Sequence, residues 1–273
     1  MNSTDPYKAP NSDQEPRDNS TGQERQLRLM APRKVLLGRS VSWLIEGFDY
    51  FKKSPGPWML TIVVGFCIFL MMSTLTVLGF VVSNLLTYVW VGGLMLGCHA
   101  QYQGKTFAVQ YLFAGFKKQF QTLVTLSLVM GVLNFIVMYL VIGPIYWDLV
   151  VGSANPSPEA KALMENPIAL SETLIWGFVA TLPLLMMSLF APTLIVMHNV
   201  SVLKAMQYSF LGCSANIFTL LIFGILISLL YVVALIPLAL GLLVLIPTVI
   251  SALFIAYKDI FTSPHVINDH MEV

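Results

Sequence analysis

Residues 205–257 read AMQYSFLGCSANIFTLLIFGILISLLYVVALIPLALGLLVLIPTVISALFIAY, 53 consecutive positions without a Lys, Arg, Asp or Glu, bounded by Lys204 and Lys258. No buried strand or core helix needs that length. About 20 apolar residues cross bilayer hydrocarbon once. The stretch therefore holds two crossings, expected at 216–236 and 239–258, with Pro237 and Gly241 marking the turn.

Working outward, the other charge-free runs read the same way. Residues 54–104 have room for crossings at 57–79 and 82–102, with a turn expected near 79–84. The run 119–147 holds one crossing, 121–143, closed by Gly143-Pro144, a pair that stops a helix. A polar segment, 148–172, carries the loop signals Asn155-Pro156 and Pro158. The crossing 173–197 contains Pro183 and Pro192, which a bilayer helix tolerates when neighbours re-satisfy the freed backbone. Six spans result. Composition agrees: 11% of the 273 residues are charged and 56% hydrophobic, against about 25% charged in a soluble domain. The net charge of +1 gives no sign of a nucleic-acid partner.

Orientation follows from basic residues, which concentrate on the cytoplasmic side. Of the 15 Lys and Arg, only Lys161 lies in a loop that follows an odd-numbered span. Both termini are expected in the cytoplasm. The 148–172 loop, with Asp148, Glu159, Glu165 and Glu172, is expected in the periplasm. The expected division is a disordered cytoplasmic tail at 1–34, a membrane domain at 35–261 and a short cytoplasmic tail at 262–273. The tail is too polar to bury a core of its own, and it has no apolar run of the kind a secretory signal needs. Cys67, Cys98 and Cys213 are odd in number and lie in or beside apolar segments, so they read as small buried hydrophobes.

Each odd-numbered span is preceded by an amphipathic stretch. Leu37, Val41, Leu44, Ile45, Phe48 and Phe51 share one helical face, opposite Ser40, Ser42, Glu46, Asp49 and Lys53. Trp43 and Tyr50 suit the headgroup level. Val109, Leu112, Phe113, Phe116 and Phe120 form a second such face, beside Lys117 and Lys118. Val202, Leu203, Met206 and Phe210 form a third, with Ser201 as N-cap and Lys204 on the polar side. Helices of this kind lie in the interface plane. The expected fold class is all-α: a polytopic bundle of six transmembrane helices with three cytoplasmic-side amphipathic helices. The order of elements reads as a candidate threefold repeat over 37–102, 106–198 and 201–260. Two weak identities accompany it. Phe51-Lys52-Lys53 recurs as Phe116-Lys117-Lys118. A shift of 159 residues places Ser42, Leu44 and Phe51 on Ser201, Leu203 and Phe210.

Two stretches carry a resemblance. Trp43-Leu44-Ile45-Glu46-Gly47-Phe48 followed by Phe51-Lys52-Lys53-Ser54-Pro55-Gly56-Pro57-Trp58 resembles the opening of an uncharacterised family of proteobacterial six-helix inner-membrane proteins. Gly241-Leu242-Leu243-Val244-Leu245-Ile246-Pro247 and Tyr257-Lys258-Asp259-Ile260-Phe261 resemble its last helix. The likeness covers about 36–261. It implies an integral protein of the bacterial inner membrane and supplies no catalytic residues. The layout is distantly similar to the membrane domain attached to some glycerophosphodiester phosphodiesterases. The catalytic barrel of those enzymes is missing here, so their activity is not implied.

Chemistry is sparse. An ionisable residue at a helix centre costs roughly 2.5–3.5 kcal/mol on insertion scales and is usually functional. No span carries one at mid-depth, which removes the working residues of proton relays and carboxylate-coupled pumps. Asn134, near the middle of the third span, is either interhelical glue or a solute contact. Gly93 and Gly97 form a GxxxG pair suited to close packing in the bundle or to a dimer contact. His99 and His198 end even-numbered spans and are near-equivalent if the repeat holds. Without HExxH, CxxC or a carboxylate cluster they read as helix-terminal residues rather than metal ligands. The same applies to His265, Asp269, His270 and Glu272. Ser73, Thr74, Ser127 and Ser228 are expected to bond back to helix carbonyls. No cofactor and no metal is expected.

Three functions remain. The first is a non-enzymatic inner-membrane protein that organises lipid or membrane partners, its headgroup contacts made by Lys52, Lys53, Lys117, Lys118 and Lys204. Its partners would be membrane lipids, a second copy of the chain or another membrane protein. The second is a transporter or channel for a neutral or amphipathic solute, with a cavity near Asn134, Thr125 and Ser127. The third is a lipid-modifying enzyme, for which only His99, His198 and Asp259 offer an acid–base set.

Overall fold

The computed structural model describes residues 27–143, 145, 146, 148 and 157–264. Among the described residues the protein is all-helical apart from one short antiparallel pairing of β1 (Leu27–Leu29) with β2 (Thr262–Pro264). Six of the described helices are long and apolar enough to cross a membrane. They are α2 (Pro55–Ser73), α3 (Thr76–Tyr102), α5 (Phe120–Ile142), α7 (Pro167–Ser188) continued by α8 (Ala191–His198), α10 (Ile217–Leu235) and α11 (Leu242–Phe261). Between them lie α1 (Arg39–Lys53), a 3-10 helix (Val109–Phe113) running into α4 (Ala114–Lys117), α6 (Pro158–Glu165) and α9 (Val202–Ala215). The tail residues His265, Asp269, His270 and Glu272 lie outside the described residues.

The spans sort into two classes. The second, fourth and sixth have 33%, 50% and 50% of their apolar window buried, against 11%, 17% and 17% for the first, third and fifth. The even-numbered spans thus form the inner part of the bundle, and the odd-numbered ones turn most of their surface outward. Each connecting helix packs on an inner span. Helix α1 lies along α11, the 109–117 segment along α3, and α9 along α7 and α8. The first helix therefore closes on the last span.

Several boundaries move. The first hairpin turns at Thr74–Leu75, not at 79–84, because Ser73 and Thr74 bond back to Leu70 and Met71 and end α2 early. Gly79 instead lets α3 pass the end of α2: a Cβ there would sit 1.8 Å from the Met72 carbonyl oxygen. Span four starts at Pro167, capped by the Asn166 side chain, so Glu172 belongs to its first turns. The third hairpin turn falls at 236–241 as the Pro237 and Gly241 signals indicate, with Leu238 and Ala239 at positive φ.

The connecting helices depart from the simple amphipathic picture. Trp43 and Tyr50 are not at the surface; both are buried against the bundle together with Ser40. Leu37, Val41, Ile45 and Phe48 are exposed instead. Leu44 and Phe51 of the expected face are buried with Trp43 and Tyr50, and Gly47 lets the backbone of α1 touch α11. A Cβ on Gly47 would lie 2.5 Å from the Thr248 carbonyl oxygen. The second segment is no continuous α-helix. Gln119 takes φ 60° and its amide donates to Asn199 Oδ1 at 2.8 Å, ending α4 before α5 begins. Leu112 is buried, while Phe113, Phe116 and Phe120 stay exposed. In α9, Met206 is buried and Leu203 is 73% exposed. Ser201 occupies the N-cap position without a capping bond from its side chain.

Candidate functional site

The connecting segments meet at one end of the bundle. The Gln101 amide donates to the Tyr50 carbonyl at 3.2 Å, and Trp58 stacks on Phe107 with centroids 3.6 Å apart. Gly93 and Gly97 carry the 109–117 segment. Cβ atoms on them would meet Tyr111 O at 2.4 Å and the Phe107 ring at 2.4 Å. This GxxxG pair is thus used within the chain.

The five lysines singled out in the sequence lie on or beside these segments. Lys52 pairs with Asp49 at 2.7 Å and covers the Phe48 ring at 5.1 Å. Lys53 lies 5.0 Å over the Tyr50 ring. Lys117, Lys118 and Lys204 are exposed.

The closest-knit polar group was not foreseen. Asp259 near the end of α11 accepts from Arg39 Nε at 2.7 Å, Arg39 Nη2 at 2.5 Å and Trp43 Nε1 at 2.8 Å, all at Oδ2. Arg39 Nη1 reaches Glu46 at 2.8 Å, and Arg33 Nε donates to the Asp259 backbone carbonyl. Burial of Arg39 acts to lower its pKa, but the two carboxylates outweigh it and raise the net value, so the guanidinium stays charged. Asn216 adds a clasp. Its Oδ1 accepts from Val35 N at 2.8 Å, and its Nδ2 donates to the Arg33 and Gly212 carbonyls, each at 2.9 Å. Met30 N and Arg33 N donate to the Phe261 and Ile260 carbonyls. Residues 27–38 are thereby strapped to the last span.

A second unforeseen feature is in span four. The helix breaks at Leu189–Phe190, where Pro192 removes one amide donor. Ser209 of α9, fully buried, enters the gap. Its hydroxyl accepts from Phe190 N at 3.0 Å and donates to Met186 O at 2.7 Å. It bridges the two groups that an unbroken helix would join directly. Lone serines in apolar helices carry no sequence mark of this role, although the prolines flagged that outside help was needed.

His99 and His198 each pack on the last span. His198 Nε2 and the Tyr257 hydroxyl share a 2.5 Å hydrogen bond, and His99 packs edge-on to Phe254 with centroids 6.2 Å apart. Asp259 does not join them, being held by Arg39 and Trp43. The proposed acid–base trio is therefore not assembled. Among the described residues no group of three His, Cys, Asp or Glu could hold a metal ion. Ser73, Thr74, Ser127 and Ser228 all bond back to helix carbonyls, at 2.7–3.2 Å.

Asn134 and Ser127 line a cavity of about 700 Å³ between α3, α5 and α7. Thr125 is exposed elsewhere on α5. Further along α3 and α5, Val89, Leu123 and Leu126 are 0% exposed.

No family model matches the chain, and neither a curated protein nor a solved structure matches it.

Proposed function

We propose that this is a non-enzymatic protein of the bacterial inner membrane, with both termini cytoplasmic, that organises lipid around its cytoplasmic end. The observation that carries the reading is that Lys52, Lys53, Lys117, Lys118 and Lys204 are all exposed on the connecting segments, with Lys52 over the exposed Phe48 ring and Lys117 and Lys118 in the same segment as the exposed Phe113, Phe116 and Phe120. Aromatic rings settle at headgroup depth, and anionic cytoplasmic lipids attract basic side chains at about 1 kcal/mol each near the surface.

The test replaces Lys52, Lys53, Lys117, Lys118 and Lys204 with Gln and counts anionic lipids retained through purification by native mass spectrometry. The reading expects several-fold fewer retained lipids; retention equal to wild type would remove it. A second reading, passage of a neutral or amphipathic solute, is favoured by the cavity at Asn134 and opposed by the full burial of Val89, Leu123 and Leu126 further along two of the helices that line it.

A further inference from the structure

We infer that the α3–α5–α7 cavity is a binding site for one uncharged, single-chain amphipath with a hydroxyl or carbonyl head, taken laterally from the bilayer. The inference is independent of the lysine reading and needs no movement across the membrane.

Three observations carry it. First, the volume of about 700 Å³ falls in the range of ligand sites, about 300–1,000 Å³. Its lips are the exposed side chains of Phe80, Leu128, Val132 and Phe178, so it opens where hydrocarbon would be. Second, its polar groups are all neutral: no charged side chain is among the described residues that line it. Most are already occupied. Asn84 donates to Phe80 O, Thr87 to Ser83 O, Ser127 to Leu123 O and Ser188 to Leu185 O. Third, the Asn134 amide makes no hydrogen bond with any described residue. An amide facing hydrocarbon without a partner is costly, and a ligand hydroxyl or ester carbonyl satisfies it.

Depth selects the head. Asn134 lies eight residues before the end of α5 at Ile142, roughly 12 Å along the helix axis. A phosphate or ammonium head drawn that far in would lose its water with no counter-charge to meet it. A monoacylglycerol or fatty alcohol loses little, and its chain lies along the Leu128 and Val132 wall.

The test uses the full chain in nanodiscs with a photoreactive diazirine monoacylglycerol and, as a matched probe, its phosphate-bearing lysolipid. Two variants accompany wild type. Asn134→Leu removes the amide. Gly131→Leu fills the cavity, since a Cβ on Gly131 meets nothing within 4 Å. The expected result is monoacylglycerol labelling confined to α3, α5 and α7 peptides, with apparent affinity about fivefold or more weaker in Asn134→Leu and labelling lost in Gly131→Leu. The lysolipid labels these peptides weakly. Labelling spread evenly over all six spans, equal labelling by the lysolipid, or wild-type labelling of folded Gly131→Leu would overturn the inference. Gly131→Leu adds a good helix former in open space, so it keeps the test decisive should Asn134→Leu fail to fold.

Discussion

Helices α1 and α9 stand at equivalent places in the plan, each ahead of an odd-numbered span, and the molecule holds them in different ways. Helix α1 is secured to α11 by a glycine contact at Gly47 and an ion-paired cluster at Asp259. Helix α9 packs along span four, and its Ser209 hydroxyl fills a break in that span. Aligning Phe51, Phe116 and Phe210 puts Tyr50, Gly115 and Ser209 in register. Gly115 and Ser209 both serve as the small residue at the crossing, whereas α1 uses Gly47, one turn earlier. The repeated order fixes where a helix crosses an inner span. It does not fix the chemistry of the crossing, which each unit solves with the residues at hand.

The largest effect expected from breaking one side of this contrast is at Gly47. Gly47→Leu forces a side chain into the Thr248 backbone and should cost about 3 kcal/mol, read as a lower unfolding midpoint in detergent. Next is Ser209→Ala, which leaves Phe190 N and Met186 O unbonded, for a loss of about 2 kcal/mol. Cys213, one turn along α9, reports on it directly. Burial pushes its thiol up to about 12, so the unreactive protonated form persists through pH 9. Maleimide should not label Cys213 in wild type between pH 7 and 9, and should begin to do so in Ser209→Ala. Asp259→Asn keeps an acceptor for Trp43 but removes the charge facing Arg39. The pair is about a quarter to a third exposed, so the full cost of breaking a buried pair is discounted to about 1 kcal/mol. Smallest is Lys52→Gln, where the exposed Asp49 partner makes the expected change under about 0.5 kcal/mol. An Asp259→Asn effect larger than that of Gly47→Leu would invert the account of how α1 is held.

The six crossings were legible because charge is excluded from hydrocarbon over long runs, and the Lys204-to-Lys258 gap admits one reading. The inner and outer classes were also present in the sequence: in each hairpin the first crossing is the more apolar of the two. The burial of Trp43 and Tyr50 was not legible because period alone gives Gly47 no weight. A glycine that permits backbone contact scores as nothing in a pattern of apolar residues. Asp259 stood out only as a member of a candidate acid–base set, and its partner Arg39, 220 residues away, carried no mark of the pairing. Ser209 was hidden for the same reason. Asn134 was legible as a polar residue near mid-span. Whether it faced a neighbour or a space depended on the packing of three helices.

The account rests on six crossings with both ends of the chain on the cytoplasmic side, and impermeant-maleimide labelling of single cysteines tests it most directly. Lys161→Cys and Lys204→Cys would be placed separately in a chain whose Cys67, Cys98 and Cys213 are alanine. In intact spheroplasts, position 161 should label and position 204 should label only once the membrane is opened. Labelling of both positions from the same side, or of position 204 alone in intact spheroplasts, would contradict the account.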